Sequence, residues 1–151
     1  DNGGDRELYD GQYSWQTGFT TVGLELPLGK LARLLVEGAD GRTGMGPRQP
    51  GGAQVELRFR TGYALLTLGG ERWRVSVRAE AFENRDRDGT AEPDQESGRA
   101  FTLAAFWSPT SRLRLGAEYL ELRARREAAA FSGADPDTDA RRGLLELRLT
   151  F

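Results

Sequence analysis

Apolar residues recur at every second position along most of this chain. Successive side chains of a strand point to opposite faces, so this spacing predicts strands with one apolar and one polar face. The last nine residues show it most plainly. Leu145, Leu147, Leu149 and Phe151 share one parity, and Glu146, Arg148 and Thr150 the other. Seven strands are expected, over about 12–26, 31–40, 53–68, 72–82, 99–107, 112–123 and 143–151. In the third, Val55, Leu57, Phe59, Thr61, Tyr63 and Leu65 alternate with Glu56, Arg58, Arg60, Gly62 and Ala64. In the fourth, Trp73, Val75, Val77, Ala79 and Ala81 alternate with Arg72, Arg74, Ser76, Arg78 and Glu80. The first strand is ambiguous. Tyr13, Trp15 and Phe19 occupy one parity and Val22, Leu24 and Leu26 the other, a change that a bulge near Gly18 would produce.

The connections alternate in length. Short turns are expected at Pro27–Lys30, Gly69–Gly70 and Ser108–Ser111, and long polar loops at 41–52, 83–98 and 124–142. Outer-membrane barrels have short periplasmic turns and longer external loops. The expected fold is therefore all-β, an antiparallel up-and-down transmembrane β-barrel with seven strands here, in one domain over residues 1–151. Phe151 then lies on the periplasmic side, and counting back puts Asp1 outside. Single-chain bacterial barrels have an even number of strands. At least one further strand is thus expected upstream, making this the C-terminal portion of a larger barrel cut in an external loop.

Composition narrows the chemistry. With 21 basic and 23 acidic residues the net charge is −2, which argues against a nucleic-acid partner. The chain has no Cys and no His. This removes disulfides, thiolate chemistry, the usual neutral-pH base and the commonest zinc ligand. Barrels that hydrolyse lipid esters need a His-activated serine, so no enzymatic activity and no cofactor are expected. Mean hydropathy is −0.58, and no apolar run approaches the roughly 20 residues of a membrane helix. Barrels escape that test, because half of each strand faces away from lipid. Asp86, Asp88, Asp94 and Glu96 lack the EF-hand spacing and read as a solvated loop, with no metal site. Glu118, Glu121 and Glu146 offer carboxylates, but interleaved arginines would keep them ionised.

With the apolar parity against lipid, the lipid-facing set is Val55, Leu57, Phe59, Val75, Val77, Leu113, Leu115, Leu145, Leu147, Leu149 and Phe151. The opposite parity would line a pore with Arg33, Arg58, Arg60, Arg72, Arg74, Arg78, Arg114 and Arg148, together with Glu37, Glu56, Glu80, Glu118 and Glu146. Eight positive against five negative charges make a mildly cationic wall, and rings of arginine favour anions. The competing account is cross-strand pairing of those charges, which only stiffens the wall. Trp73 and Trp107 sit beside short turns and fit an aromatic girdle at the membrane surface, with simple apolar packing as the alternative.

The closing strand resembles the C-terminal strand of bacterial outer-membrane barrels, whose terminal Phe and alternating apolar residues are read by the barrel-assembly machinery. Trp15 in Gly11-Gln12-Tyr13-Ser14-Trp15, the strand from Gly98 to Ala104 and that from Leu113 to Leu120 resemble the C-terminal half of phosphate-selective porins of the O and P type. That resemblance implies a wide barrel in the outer membrane, commonly a trimer, passing small anions. No phosphate-binding position is carried over, because no motif matches residue by residue. The expected function is passive diffusion of small hydrophilic solutes, anions among them. The alternatives are a structural or adhesive barrel with ligand-binding external loops, and a soluble β-barrel carrier. Outer-membrane lipid and the assembly machinery are the expected partners.

Overall fold

The computed structural model describes residues 7–9, 12–46, 55–88, 93 and 95–151. Asp94, Gly11 and residues 47–52 of the loop expected at 41–52 lie outside them. In chain order the elements are β1 (Glu7–Tyr9), β2 (Gln12–Tyr13), β3 (Trp15–Pro27), β4 (Ala32–Met45), β5 (Val55–Gly69), β6 (Trp73–Asp86), β7 (Glu96–Thr110), β8 (Leu113–Arg126), α1 (Glu127–Phe131) and β9 (Asp137–Leu149). β1 and β2 form a small antiparallel ribbon. β3 to β9 form one seven-stranded antiparallel sheet in sequence order, each strand paired with the next. The fold is all-β, as the alternation predicts. Among the described residues no helix is long and apolar enough to cross a membrane, which says nothing about strands.

Several boundaries differ from expectation, and most differ in one direction: the strands run further into the long loops. Residues 83–86 and 96–98 belong to β6 and β7, and the loop expected at 124–142 contains the end of β8, the helix α1 and the start of β9. Main-chain pairing continues past the point where the apolar alternation fades, because ladder hydrogen bonds need no apolar side chain. The seven strands have thirteen to fifteen residues each. A membrane crossing takes only about 9–11. The short connections fall at 28–31, 70–72 and 111–112, and only the last is shorter than expected. Gly29 has φ of 84° in the first of them, a conformation that costs glycine nothing. Ser108 and Pro109 lie within β7, where the register with β8 shifts between Trp107 and Thr110. The bulge anticipated near Gly18 is absent, since β3 pairs with β4 continuously from Trp15 to Pro27.

Neither face of the sheet carries a second layer among the described residues. The buried apolar side chains are only Ala100 and Ala104. Leu145, Leu147 and Leu149 are 86%, 66% and 56% exposed. Cohesion comes from the ladders and from cross-strand side-chain contacts. Three of these contacts are alike: Gly41 opposes Phe59, Gly98 opposes Phe82 and Gly116 opposes Phe106. Each ring lies over its glycine, and an added Cβ would meet ring carbons at 2.5, 2.7 and 2.8 Å respectively. Glycine here makes room for an aromatic ring and permits local bending of the strand. Gly41→Val should push the Phe59 ring off the sheet and cost about 1–3 kcal/mol. Urea unfolding of the refolded protein measures this, and combining it with Phe59→Ala should recover part of the loss.

Candidate functional site

Opposed residues share a face, so the registers carry a face from strand to strand. Starting at Leu147, the line passes to Leu115, Trp107 and Trp73. Two residues further from the short turns, Leu145 leads through Ala117, Ala105, Val75 and Leu68 to Ala32. The face so defined, the Leu147 face, carries Val22, Leu24 and Leu26 on β3, then Leu34 and Val36 on β4, and Ala64, Leu66 and Leu68 on β5. It continues through Val75, Val77 and Ala79, then Phe101, Leu103 and Trp107, then Leu113, Leu115 and Tyr119. The result is a continuous apolar band across all seven strands, on the half of the sheet nearest the short turns. Large members stand open: Val22 is 72% exposed and Trp107 54%.

The band is slanted. Its farthest apolar residue from the turns is Val22 on β3, level with Gly38, and Leu145 on β9, level with Ala32. Six residues are thus lost over six strand-to-strand steps. One residue per step, at about 3.3 Å rise and about 4.8 Å between strands, inclines the strands by about 35° to the band's normal. Along β6 the band runs from Trp73 to Ala81, or about 26 Å of strand, close to 20 Å after tilt.

The opposite face, named here for Arg148, is polar over the same half. It holds Arg33, Arg74, Arg78, Arg114 and Arg148 with Glu25, Glu37, Glu80, Glu118 and Glu146. Arg33 pairs with Glu25 at 2.8 Å, Arg78 with Glu80 at 2.5 Å and Arg114 with Glu146 at 2.6 Å. Two of these guanidiniums also cover rings, Arg78 at 4.3 Å from the Tyr63 centroid and Arg114 at 5.0 Å from that of Phe106. Thr67 and Ser76 add a hydroxyl contact at 3.2 Å. Arg74, Arg148, Glu37 and Glu118 form no ion pair among the described residues.

Nearer the long loops both faces change character. The Arg148 face becomes apolar, with Phe19, Phe59, Phe82, Leu120 and Leu122. The rings of Phe19 and Phe59 stand 6.4 Å apart. The Leu147 face becomes charged, with Arg58 and Arg60 on Asp40, Arg85 on Glu83, Arg123 on Glu121 and Arg125 on Asp137.

This inversion corrects part of the sequence reading. Val55, Leu57 and Phe59 were grouped with Val75 and Val77, yet Phe59 opposes Asn84 and Leu66 opposes Val77. The first three therefore stand on the Arg148 face. Glu56, Arg58 and Arg60 stand on the Leu147 face with Val75, away from Arg74 and Arg78. Arg72 lies in the 70–72 connection, where its carbonyl accepts a hydrogen bond from the Ser108 amide at 2.7 Å. Arg33, Arg74, Arg78, Arg114, Arg148, Glu80, Glu118 and Glu146 do share one face, as grouped. So do Val75, Val77, Leu113, Leu115, Leu145, Leu147 and Leu149 on the other. Trp73 and Trp107 oppose each other on that second face. Phe151 follows the end of β9 and is fully exposed. With Arg58, Arg60, Arg72 and Glu56 removed and Glu25 added, the polar half of the Arg148 face carries five arginines and five glutamates. The expected cationic excess is gone. Glu25 was missed because the facing of the first strand could not be read without its partner.

A double-mutant cycle on Arg114→Gln and Glu146→Gln should return a coupling of about 0.5–1 kcal/mol, the range of half-exposed pairs. Zero coupling would mean the pair contributes nothing to the sheet. No protein-family model matches this chain, and neither a curated protein nor a solved structure matches it.

Proposed function

We propose that this chain forms part of the wall of an outer-membrane β-barrel, with the Leu147 face against lipid and the Arg148 face against a water-filled interior. One observation carries the reading: the continuous slanted apolar band, left uncovered on one side of a sheet whose other side is polar at the same height. Soluble monomers rarely expose apolar patches beyond a few hundred Å², and seven strands of Leu, Val, Trp and Phe far exceed that. Hydrocarbon removes the cost, since such side chains lose nothing by leaving water. The inclination of about 35° falls at the edge of the 35–45° of membrane barrels. Trp73 and Trp107 at the turn end fit the interfacial girdle.

Closure follows from strand parity. In an antiparallel meander β3, β5, β7 and β9 run the same way, so β3 cannot close on β9 in antiparallel fashion. An odd number of further strands completes the barrel, and both edges of this sheet are long and exposed enough to receive them. In that barrel the ion-paired wall supports passive diffusion of small hydrophilic solutes. Balanced Arg and Glu make it weakly selective, so the anion preference expected from eight arginines has less support.

The apolar upper part of the Arg148 face favours a second reading. Phe59, Phe82, Leu120 and Leu122 would suit an interior filled by side chains or loops, giving a non-conducting barrel. Planar-bilayer recording separates the two. The channel reading expects stepwise conductance in KCl with cation and anion permeabilities within a few fold of each other. A silent bilayer with correctly inserted protein contradicts it.

Face assignment has its own test. Leu66→Arg and Leu147→Arg should each cost about 2–4 kcal/mol of stability in bilayers, the cost of arginine facing mid-membrane lipid. Leu65→Arg and Leu144→Arg should cost well under half of that. Folding titrations in lipid vesicles measure the difference, and equal costs on both faces would refute the assignment.

A further inference from the structure

Above the apolar band, the Leu147 face brings arginines into line on adjacent strands. Arg42 opposes Arg58, and Arg58 opposes Arg85. Like charges set directly opposite are destabilising, and only part of this row is compensated. Arg58 reaches Asp40 at 3.0 Å and Arg85 reaches Glu83 at 2.7 Å. Among the described residues Arg42 and Arg87 have no acidic partner. A cavity of about 590 Å³ opens here, walled by Arg42, Arg58, Arg87, Asp40 and Glu56. Its floor is at Gly18, where an added Cβ would meet nothing within 4 Å. Directly below on the same face lie Val22, Gly38 and Gly62, the upper margin of the band.

We propose that this cleft binds the phosphorylated headgroup of a membrane lipid whose acyl chains lie along the band beneath it. The inference rests on the reading of the Leu147 face as lipid-facing. Three properties of the cleft select this ligand. The cleft offers several guanidiniums, which match phosphate oxygens bidentately. It adjoins apolar surface on one side only, as an amphiphile requires. A phosphate monoester supplies the negative charge that the Arg42–Arg58–Arg85 row lacks. Asp40 remains on Arg58 and Arg60 and holds the row in place, leaving Arg42 and Arg87 to meet the ligand.

The test uses the full-length protein in neutral detergent, with lipid retention read by native mass spectrometry. Dioleoyl phosphatidic acid should be retained about tenfold more strongly than dioleoyl phosphatidylcholine. The double variant Arg42→Gln with Arg87→Gln should erase that preference. So should Gly18→Trp, which fills the cleft and leaves every charge in place. Unchanged preference in both variants would overturn the site. Equal displacement of the lipid by inorganic phosphate would overturn the assignment to a lipid headgroup. Failure of the protein to enter the detergent phase of a Triton X-114 partition would instead sink the membrane reading on which the proposal stands.

Discussion

The hydrogen-bonded register is the constraint on which the rest depends. A pleated strand allows each side chain only two directions, and pairing passes that choice to the next strand without loss. A slip of one residue anywhere between β3 and β9 would break the apolar band in two. Six interfaces instead align Leu, Val, Ala, Trp and Phe from Val22 to Leu147. The one register shift, at Trp107 to Thr110, falls at the turn end of the β7–β8 pair. The same pairing satisfies main-chain groups of the interior strands, β4 to β8, on both sides, a requirement that hydrocarbon imposes more strictly than water does.

Much of this was legible in the sequence. The seven strands, their order, the alternation of short and long connections and the faces of the fourth to seventh strands follow from a period of two. The failures share one cause. Each strand is longer than the apolar band, so its two halves meet different surroundings and the apolar parity inverts midway. On the third expected strand the inversion placed Val55, Leu57 and Phe59 in one set with Leu65, while Leu66 and Leu68 belong to the band. On the first it looked like a bulge at Gly18, although Trp15 and Phe19 simply occupy the other face from Val22 and Leu24. A strand on its own cannot show which half belongs to the band; its neighbours can. The Phe–Gly pairs and the arginine row were invisible for the same reason, since both exist only across strands.

The inversion also changes what the wall can do. At the level of the band the Arg148 face is hydrophilic and charge-balanced. Beyond it the same face turns apolar around Phe59 and Phe82, while the Leu147 face takes up ion pairs such as Arg60–Asp40. On the proposed reading this is what a barrel rising out of the membrane requires, with water now outside the wall. Function is then divided along the strand: lipid contact and solute passage below, headgroup contact and loop support above. The two proposals concern different heights on the same sheet and stand on different residues.

The sharpest test of the central claim is an accessibility scan along β5, where the structure and the simple alternation disagree. The chain has no native cysteine, so single cysteines at 63 to 68 can carry spin labels without background. In bilayers, labels at Ala64, Leu66 and Leu68 should relax with oxygen dissolved in lipid, and those at Tyr63, Leu65 and Thr67 with a water-soluble nickel chelate. The reverse pattern, or no alternation at all, would contradict the account.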